Sequence, residues 1–177
     1  MGRDVIIALD FATAEKALAF LDQFNENQVY VKIGMELFYA AGPDIVRQIK
    51  ARGHKLFLDL KLHDIPNTVE RAMAALSRLD VDMCNLHAAG TADMMRAALR
   101  GLTRPDGTRP LLIAVTQLTS TSQERMAREL LIERPMEEVV MHYAKNAMEA
   151  GLDGVVCSPL ESEQVHAACG AQFLTVT

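Results

Sequence analysis

Residues 56–68 read LFLDLKLHDIPNT, and this stretch decides the fold. Successive side chains of a β-strand point to opposite faces, so its leucines share one face. The other face carries Phe57, Asp59, Lys61 and His63. Pro66 ends the strand, and Asn67 or Thr68 can cap a helix that follows. The stretch is therefore predicted to be a strand whose end presents a carboxylate and an ammonium group on one face.

Length and composition favour one soluble globular domain over residues 1–177. The chain is 50% hydrophobic and 23% charged, which is ordinary for such a domain. Its net charge of -5 argues against a nucleic-acid or anionic-membrane surface. The apolar run 5–9 is too short for a signal or membrane segment. Three scattered cysteines without metal-ligand spacing predict reduced thiols, no metal site and a cytoplasmic location.

Short apolar segments alternate with amphipathic ones along the whole chain, which predicts parallel βαβ units. Besides the opening stretch, strands are predicted at 5–10, 29–34, 82–87, 111–115, 153–158 and 173–177. The carboxyl ends of parallel strands lie on one side, and polar residues follow most of these ends: Asp10, Lys32, Asp59, Lys61, His87, Thr119 and Ser158. A doubly wound sheet would bind a ligand at one switch point, whereas a (β/α)8 barrel gathers all these residues around one mouth. The predicted fold is α/β, a TIM barrel.

The strand count predicts an incomplete barrel. Such barrels have eight strands and typically about 250 residues, whereas this chain provides seven predicted strands in 177 residues. The sequence is therefore expected to be a single barrel domain that lacks its last strand and helices.

The charges of the opening stretch suggest acid chemistry. With Cα atoms about 6.5 Å apart on one strand face, the side chains of Asp59 and Lys61 can touch. Lys32 and Asp64 would extend the pair to a Lys-Asp-Lys-Asp array, and neighbouring carboxylates favour a protonated Lys61. An ammonium group in this setting can stabilise a carbanion and then protonate it. A structural ion network is the alternative interpretation.

Residues 59–68 resemble the signature of the bacterial type of the orotidine 5′-phosphate decarboxylase family. The segments 7–10, 31–38, 87–90 and 115–120 are similar to that family as well, in the same order. The D-x-K-x-x-D pattern alone indicates only a wider superfamily, whereas the five segments together are specific. The resemblance covers essentially the whole chain.

The resemblance implies cofactor-free decarboxylation of orotidine 5′-phosphate to UMP and carbon dioxide, the last step of de novo pyrimidine biosynthesis. It implies that Lys61 donates the proton and that Asp59 lies beside the departing carboxylate. Lys32 and Asp10 would contact the ribose hydroxyls. The remaining substrate contacts implied are those of Thr119, with the base, and of Ile65, Asp64 and Thr68.

The resemblance also implies a homodimer, because in this family Asp64 and Thr68 reach into the neighbouring subunit's active site. The family continues beyond the position of Thr177 with a Pro-Gly-Ile-Arg segment, a phosphate-gripping loop and a Gly-Arg pair. A chain that ended at Thr177 would lack these phosphate contacts and the remote binding energy that they supply. The expectation is that such a chain is inactive or nearly so, and poorly soluble.

Two other functions remain open at this point. A metal-dependent sugar-phosphate decarboxylase or aldolase of the same superfamily would use magnesium and carry a Glu where this chain has Lys32. A barrel fragment that acts only as a binding module is the other. Activity in excess EDTA and binding of a UMP analogue distinguish these alternatives from the decarboxylase.

Overall fold

The computed structural model describes residues 5–24 and 27–177, which form one parallel sheet with helices on its outer side. The strands, in chain order, are β1 (Ile6–Ala8), β2 (Tyr30–Gly34), β3 (Lys55–Leu62), β4 (Met83–His87), β5 (Leu111–Val115), β6 (Gly154–Val156) and β7 (Leu174–Val176). The α-helices are α1 (Ala14–Leu21), α2 (Met35–Ala41), α3 (Asp44–Ala51), α4 (Pro66–Leu76), α5 (Thr91–Leu102), α6 (Gln123–Glu129), α7 (Met136–Glu149) and α8 (Ser162–Cys169). Short 3-10 turns follow α1, α4 and β4.

Each strand pairs in parallel with the next one along the chain, in the order β1 to β7. A helix lies between every two consecutive strands, as right-handed βαβ units require. The sheet curls into a half-barrel, in agreement with the predicted α/β barrel architecture. All carboxyl ends of the strands therefore lie on one side, which is where barrel enzymes carry their active sites.

The alternating side chains of β3 lie on the two opposite faces of the sheet. Leu56 and Leu58 are fully buried in the main core, between the strands and the helices. Phe57 belongs to a separate small cluster with Met83 and Ile113, one residue from each of three neighbouring strands. This second cluster lies on the inner face of the curled sheet, the face that also bears Asp59.

The end of β3 differs from the sequence prediction in two ways. The helix α4 begins at Pro66 with Ile65 as its N-cap and no side-chain cap, so capping by Asn67 or Thr68 was wrong. Proline is favoured at the first helical position because that position needs no N–H partner.

The regular alternation of side chains in β3 also fails near Lys61, whose φ of 51° lies in the left-handed region. The strand ends at Leu62, so His63 follows it rather than sharing its face.

Two aspartates, one just before β4 and one just before β6, connect neighbouring elements at the amino ends of the strands. This is the side of the sheet opposite to the charged residues of β3. Asp82 accepts hydrogen bonds from the Leu56 backbone N–H at 2.7 Å and from Lys50 Nζ at 2.6 Å. Asp153 accepts from the Leu112 N–H at 2.7 Å and pairs with Arg109. In barrels, contacts at the amino ends of the strands contribute to stability, whereas the carboxyl ends carry the active site.

The three cysteines are free thiols, as the sequence predicted. Burial raises the pKa of the Cys84 thiol to about 12 and that of Cys157 to about 11. Within residues 5–24 and 27–177, no helix is long and apolar enough to cross a membrane.

Candidate active site

A buried carboxylate lies at the centre of the site. Asp59, near the end of β3, is 8% exposed. Its Oδ1 accepts hydrogen bonds from Lys61 Nζ and from Asn85 Nδ2, both at 2.6 Å. Its Oδ2 lies 3.5 Å from Lys32 Nζ, which reaches across from β2. Each oxygen of the carboxylate thus faces at least one positively charged or N–H donor group.

The pKa of Asp59 reflects these partners. Burial alone raises the pKa of this carboxyl group, but hydrogen bonds from Lys61 and Asn85 oppose that effect. The charges of Lys61 and Lys32 act in the same direction as the hydrogen bonds. The net pKa of Asp59 therefore lies below its ordinary value, and the site holds a buried negative charge at neutral pH.

Lys32 extends the array to a second carboxylate. Its Nζ lies 3.6 Å from Oδ1 of Asp10, which follows β1 and is largely exposed. The resulting order of charges is Asp10, Lys32, Asp59, Lys61, drawn from the segment after β1 and from the neighbouring strands β2 and β3. Asp64 is not brought into this array: its Oδ1 accepts from the Ile65 N–H at 2.6 Å, and among the described residues it makes no ion pair.

The backbone at Lys61 is held by a side chain of the neighbouring strand. The Lys61 N–H donates to Asn85 Oδ1 at 2.8 Å. Asn85 is fully buried in β4, between Cys84 and Leu86. Sequence reasoning missed this residue, although an amide in the middle of an otherwise apolar strand was the signal that pointed to it.

Two histidine rings lie next to each other, in a tilted arrangement, after β3 and at the end of β4. The rings of His63 and His87 lie 5.7 Å apart, with an interplanar angle of 42°. His87 ends β4 and is half-buried, and burial is the main reason why its pKa is lowered. The neighbouring His63 and Lys61 lower the pKa of His87 further, while Asp59 opposes them. The ring of His87 is therefore neutral at neutral pH.

The other predicted substrate contacts lie on exposed segments. Ile65 is 65% exposed at the turn after β3, and Thr68 is exposed in the first turn of α4. Thr119 is exposed in the segment that follows β5. The structure thus brings four of the predicted residues into one charged array and leaves the others on exposed segments outside it.

The array is suited to the chemistry of a developing negative charge. The ammonium groups of Lys32 and Lys61 flank the buried carboxylate of Asp59. An anionic group beside Asp59 would be repelled by that carboxylate and attracted by the two ammonium groups. An ammonium group can donate a proton, and the hydrogen bond to Asp59 holds that of Lys61 in a defined direction. Across the described ranges, no cluster of three or more potential metal-ligating side chains is present.

Comparison with known proteins identifies relatives along the whole chain. The model of the "Orotidine 5'-phosphate decarboxylase / HUMPS family" matches residues 3–177. The chain is 59% identical over 172 residues to the orotidine 5'-phosphate decarboxylase of Staphylococcus haemolyticus, covering 97% of this chain and 74% of that protein. It is 54% identical over 180 residues to that of Bacillus cytotoxicus, covering 100% of this chain and 76% of the relative.

Solved structures resemble the fold equally well. A crystal structure of orotidine 5'-phosphate decarboxylase from Lactobacillus acidophilus matches with a TM-score of 0.92 and 42% identity, covering 99% of this chain and 80% of that one. An uncharacterised conserved protein from Geobacillus kaustophilus matches with a TM-score of 0.93 and 51% identity, covering 96% and 80% of the two chains.

Proposed function

This chain belongs to the orotidine 5'-phosphate decarboxylase / HUMPS family, and on that premise we propose that it decarboxylates orotidine 5'-phosphate to UMP and carbon dioxide without a cofactor. The family predicted from the five sequence segments is confirmed, and with it a carboxy-lyase of pyrimidine biosynthesis. The observation that carries the mechanism is the buried carboxylate of Asp59 between the ammonium groups of Lys61 and Lys32.

In the proposed reaction, the bond between C6 of the pyrimidine and its carboxylate breaks, and its electron pair stays on C6. The ammonium group of Lys61 stabilises the negative charge that develops there and then delivers a proton to C6. The 2.6 Å hydrogen bond to Asp59 supports this role, because it fixes the direction in which Lys61 Nζ points. Carbon dioxide leaves, and the proton lost by Lys61 is replaced from solvent.

The remaining members of the array have proposed roles in binding. Asp59 lies beside the departing carboxylate, while Lys32 and Asp10 contact the ribose hydroxyls. Their mutual distances of 3.5 and 3.6 Å support a shared binding surface. Thr119 contacts the pyrimidine base, and Ile65 lines the substrate site from the turn after β3.

The proposed working unit is a homodimer, located in the cytoplasm, in which each site uses residues of both subunits. Asp64 is exposed, and its one hydrogen bond among the described residues is to the adjacent Ile65 N–H. Thr68 is likewise exposed on α4. Polar residues of a family signature that make no contact with their own subunit's charge array are available to a neighbouring subunit's site.

The test is a turnover assay with the complete gene product and orotidine 5'-phosphate, following loss of substrate absorbance and UMP formation. Excess EDTA should leave the rate unchanged under this proposal. Loss of activity in EDTA, restored by magnesium, would favour the metal-dependent sugar-phosphate enzymes instead. Absence of both turnover and UMP binding in the correctly folded protein would overturn the proposed function.

A further inference from the structure

The side chain of Asn85 bridges two residues of the charge array. Its Nδ2 donates to Asp59 Oδ1 at 2.6 Å, and its Oδ1 accepts from the Lys61 backbone N–H at 2.8 Å. Asn85 is fully buried, and it projects from the middle of β4. A buried amide is costly unless its polar atoms are paired, and here both ends are paired with the two charged residues of β3.

The chemistry of the partners fixes the direction of this amide. An inverted side chain would place its oxygen against the carboxylate of Asp59 and its NH2 group against the N–H of Lys61. Both contacts would be repulsive, because each would join two acceptors or two donors. Asn85 therefore has one favourable orientation, and it ties the carboxylate of Asp59 to the backbone of Lys61.

The backbone of Lys61 needs this support because the strand is irregular there. Leu58 pairs with Cys84 and Leu62 with Leu86, so four residue steps on β3 correspond to two on β4. Lys61 lies within this bulge at a φ of 51°, a conformation that residues with a Cβ adopt at a cost. In this irregular segment the Lys61 N–H finds its acceptor in the Asn85 side chain rather than in the β4 backbone.

We infer that Asn85 is a positioning residue for the decarboxylation, one that sets the bulge at Lys61 and the orientation of the Asp59 carboxylate together. This inference rests on the proposed function. Asn85 holds Oδ1 of Asp59 toward Lys61 Nζ, and Oδ2 remains directed at Lys32. The relative placement of the proton donor and the carboxylate is thereby fixed before substrate binds.

The decisive variant is Asn85→Leu, which keeps the branched shape of the side chain and removes both hydrogen bonds. Misplacement of catalytic groups by about 1 Å costs on the order of 10²-fold in rate. The expected result in the complete gene product is a fall of about that size in kcat, with KM for orotidine 5'-phosphate little changed. The Asn85→Asp variant keeps the acceptor for the Lys61 N–H but places a second carboxylate against Asp59.

The pH profile of Asn85→Asp separates a positioning role from a merely structural one. Two facing carboxylates favour sharing one proton, and the protonated member can donate the missing hydrogen bond. Activity of Asn85→Asp relative to wild type should therefore rise as the pH falls from 8 to 5. A relative activity that does not change with pH would contradict the inference.

Cys84→Ala is the matched control. Cys84 precedes Asn85 in β4, is equally buried, and faces the helices, with its Sγ 3.9 Å from Met73 Sδ. It should lower the thermal stability while leaving kcat unchanged. Equal losses of kcat in Cys84→Ala and Asn85→Leu would overturn the inference, because they would show only a general loss of packing. Wild-type kcat in Asn85→Leu would overturn it as well.

A structure of Asn85→Leu makes the inference testable independently of turnover. The expected change is loss of the positive φ at Lys61 or of the 2.6 Å contact between Lys61 Nζ and Asp59. An unchanged geometry would refute the positioning role. If wild type and Cys84→Ala both lack activity on orotidine 5'-phosphate, the proposed function fails, whereas this structural comparison still decides the role of Asn85.

Discussion

The ammonium nitrogen of Lys61 lies 2.6 Å from Oδ1 of Asp59, although Lys61 sits in a left-handed backbone conformation within a bulge. A regular strand would have placed these two side chains on one face without this turn of the backbone. Non-glycine residues in this region of φ are uncommon, and they persist where the surrounding structure holds them. The geometry of the pair is therefore a feature that the fold maintains around the proposed proton donor.

Replacing this donor should separate chemistry from binding. Lys61→Ala is expected to lower kcat by at least about 10²–10⁴-fold, the usual contribution of a positioned acid, while UMP binding measured by calorimetry is largely retained. Lys16→Ala, an exposed lysine on α1, is the control and should leave both quantities unchanged. Substantial turnover by Lys61→Ala would remove this residue from the proton-donor role.

The shared site predicts complementation between two inactive variants. Asp64→Ala removes a carboxylate that is exposed and makes no contact with Asp59 or Lys61 in its own chain. Mixed with Lys61→Ala, it should form heterodimers in which one of the two sites is intact. About half of the wild-type activity per heterodimer is then expected, since one site in two is complete, and about a quarter for a statistical mixture in which half of the dimers are mixed. Mixed dimers without activity, confirmed by mass spectrometry, would argue against a site built from both subunits.

Much of the fold could be predicted from the spacing of the apolar residues and from the turn signals between them. The seven parallel strands were predicted because apolar runs with turn signals alternate with amphipathic helices. The inner and outer faces of β3 followed from the alternation of Phe57 with its flanking leucines, since these face separate clusters in the structure. Asp10, Lys32, Asp59 and Lys61 could be placed together because parallel strands end on one side.

The bulge and its partner could not be predicted in the same way. A side-chain period of two carries no information about extra residues in one strand of a pair, here two residues of β3. The Lys61 backbone N–H is bonded to Asn85, which lies 24 residues later, and the spacing of residues within β3 does not indicate that partner. The cap of α4 was missed for a related reason, because a helix that begins with Pro66 has less need of a side-chain cap.

The depressed pKa of His87 predicts a loss of stability on mild acidification. A histidine whose folded pKa lies below its unfolded value of 6.5 binds protons more readily when the chain is unfolded. The free energy of unfolding therefore falls as the pH drops through 6.5, until the folded form is protonated as well. His87→Gln should reduce the fall in stability between pH 7.5 and 5.5, measured by urea denaturation.

Two comparisons make this pH prediction specific. His142→Gln, at an exposed position on α7, should leave the pH dependence as in wild type. The contribution of Asp59 lies in a separate window: its pKa is lowered from 3.8, so the stability it provides is lost only as the pH falls below that value. An identical pH slope in wild type and His87→Gln would contradict the assignment to His87.

Gly101 provides a test in which helix propensity and packing predict opposite signs. Alanine is favoured over glycine within a helix by about 1 kcal/mol, so propensity alone predicts that Gly101→Ala stabilises α5. A Cβ at Gly101, however, would lie 2.0 Å from the backbone oxygen of Glu70 on α4. The two helices would have to separate, and overpacking of this kind typically costs about 1–3 kcal/mol.

We therefore expect Gly101→Ala to lower the free energy of unfolding by about 1–3 kcal/mol in urea denaturation. Gly107→Asn is the control, because a Cβ there has nothing within 4 Å and asparagine tolerates its φ of 82°. Its effect should stay within about 0.5 kcal/mol, as for other surface substitutions. Stabilisation by Gly101→Ala would show that α4 and α5 are not held in this close contact.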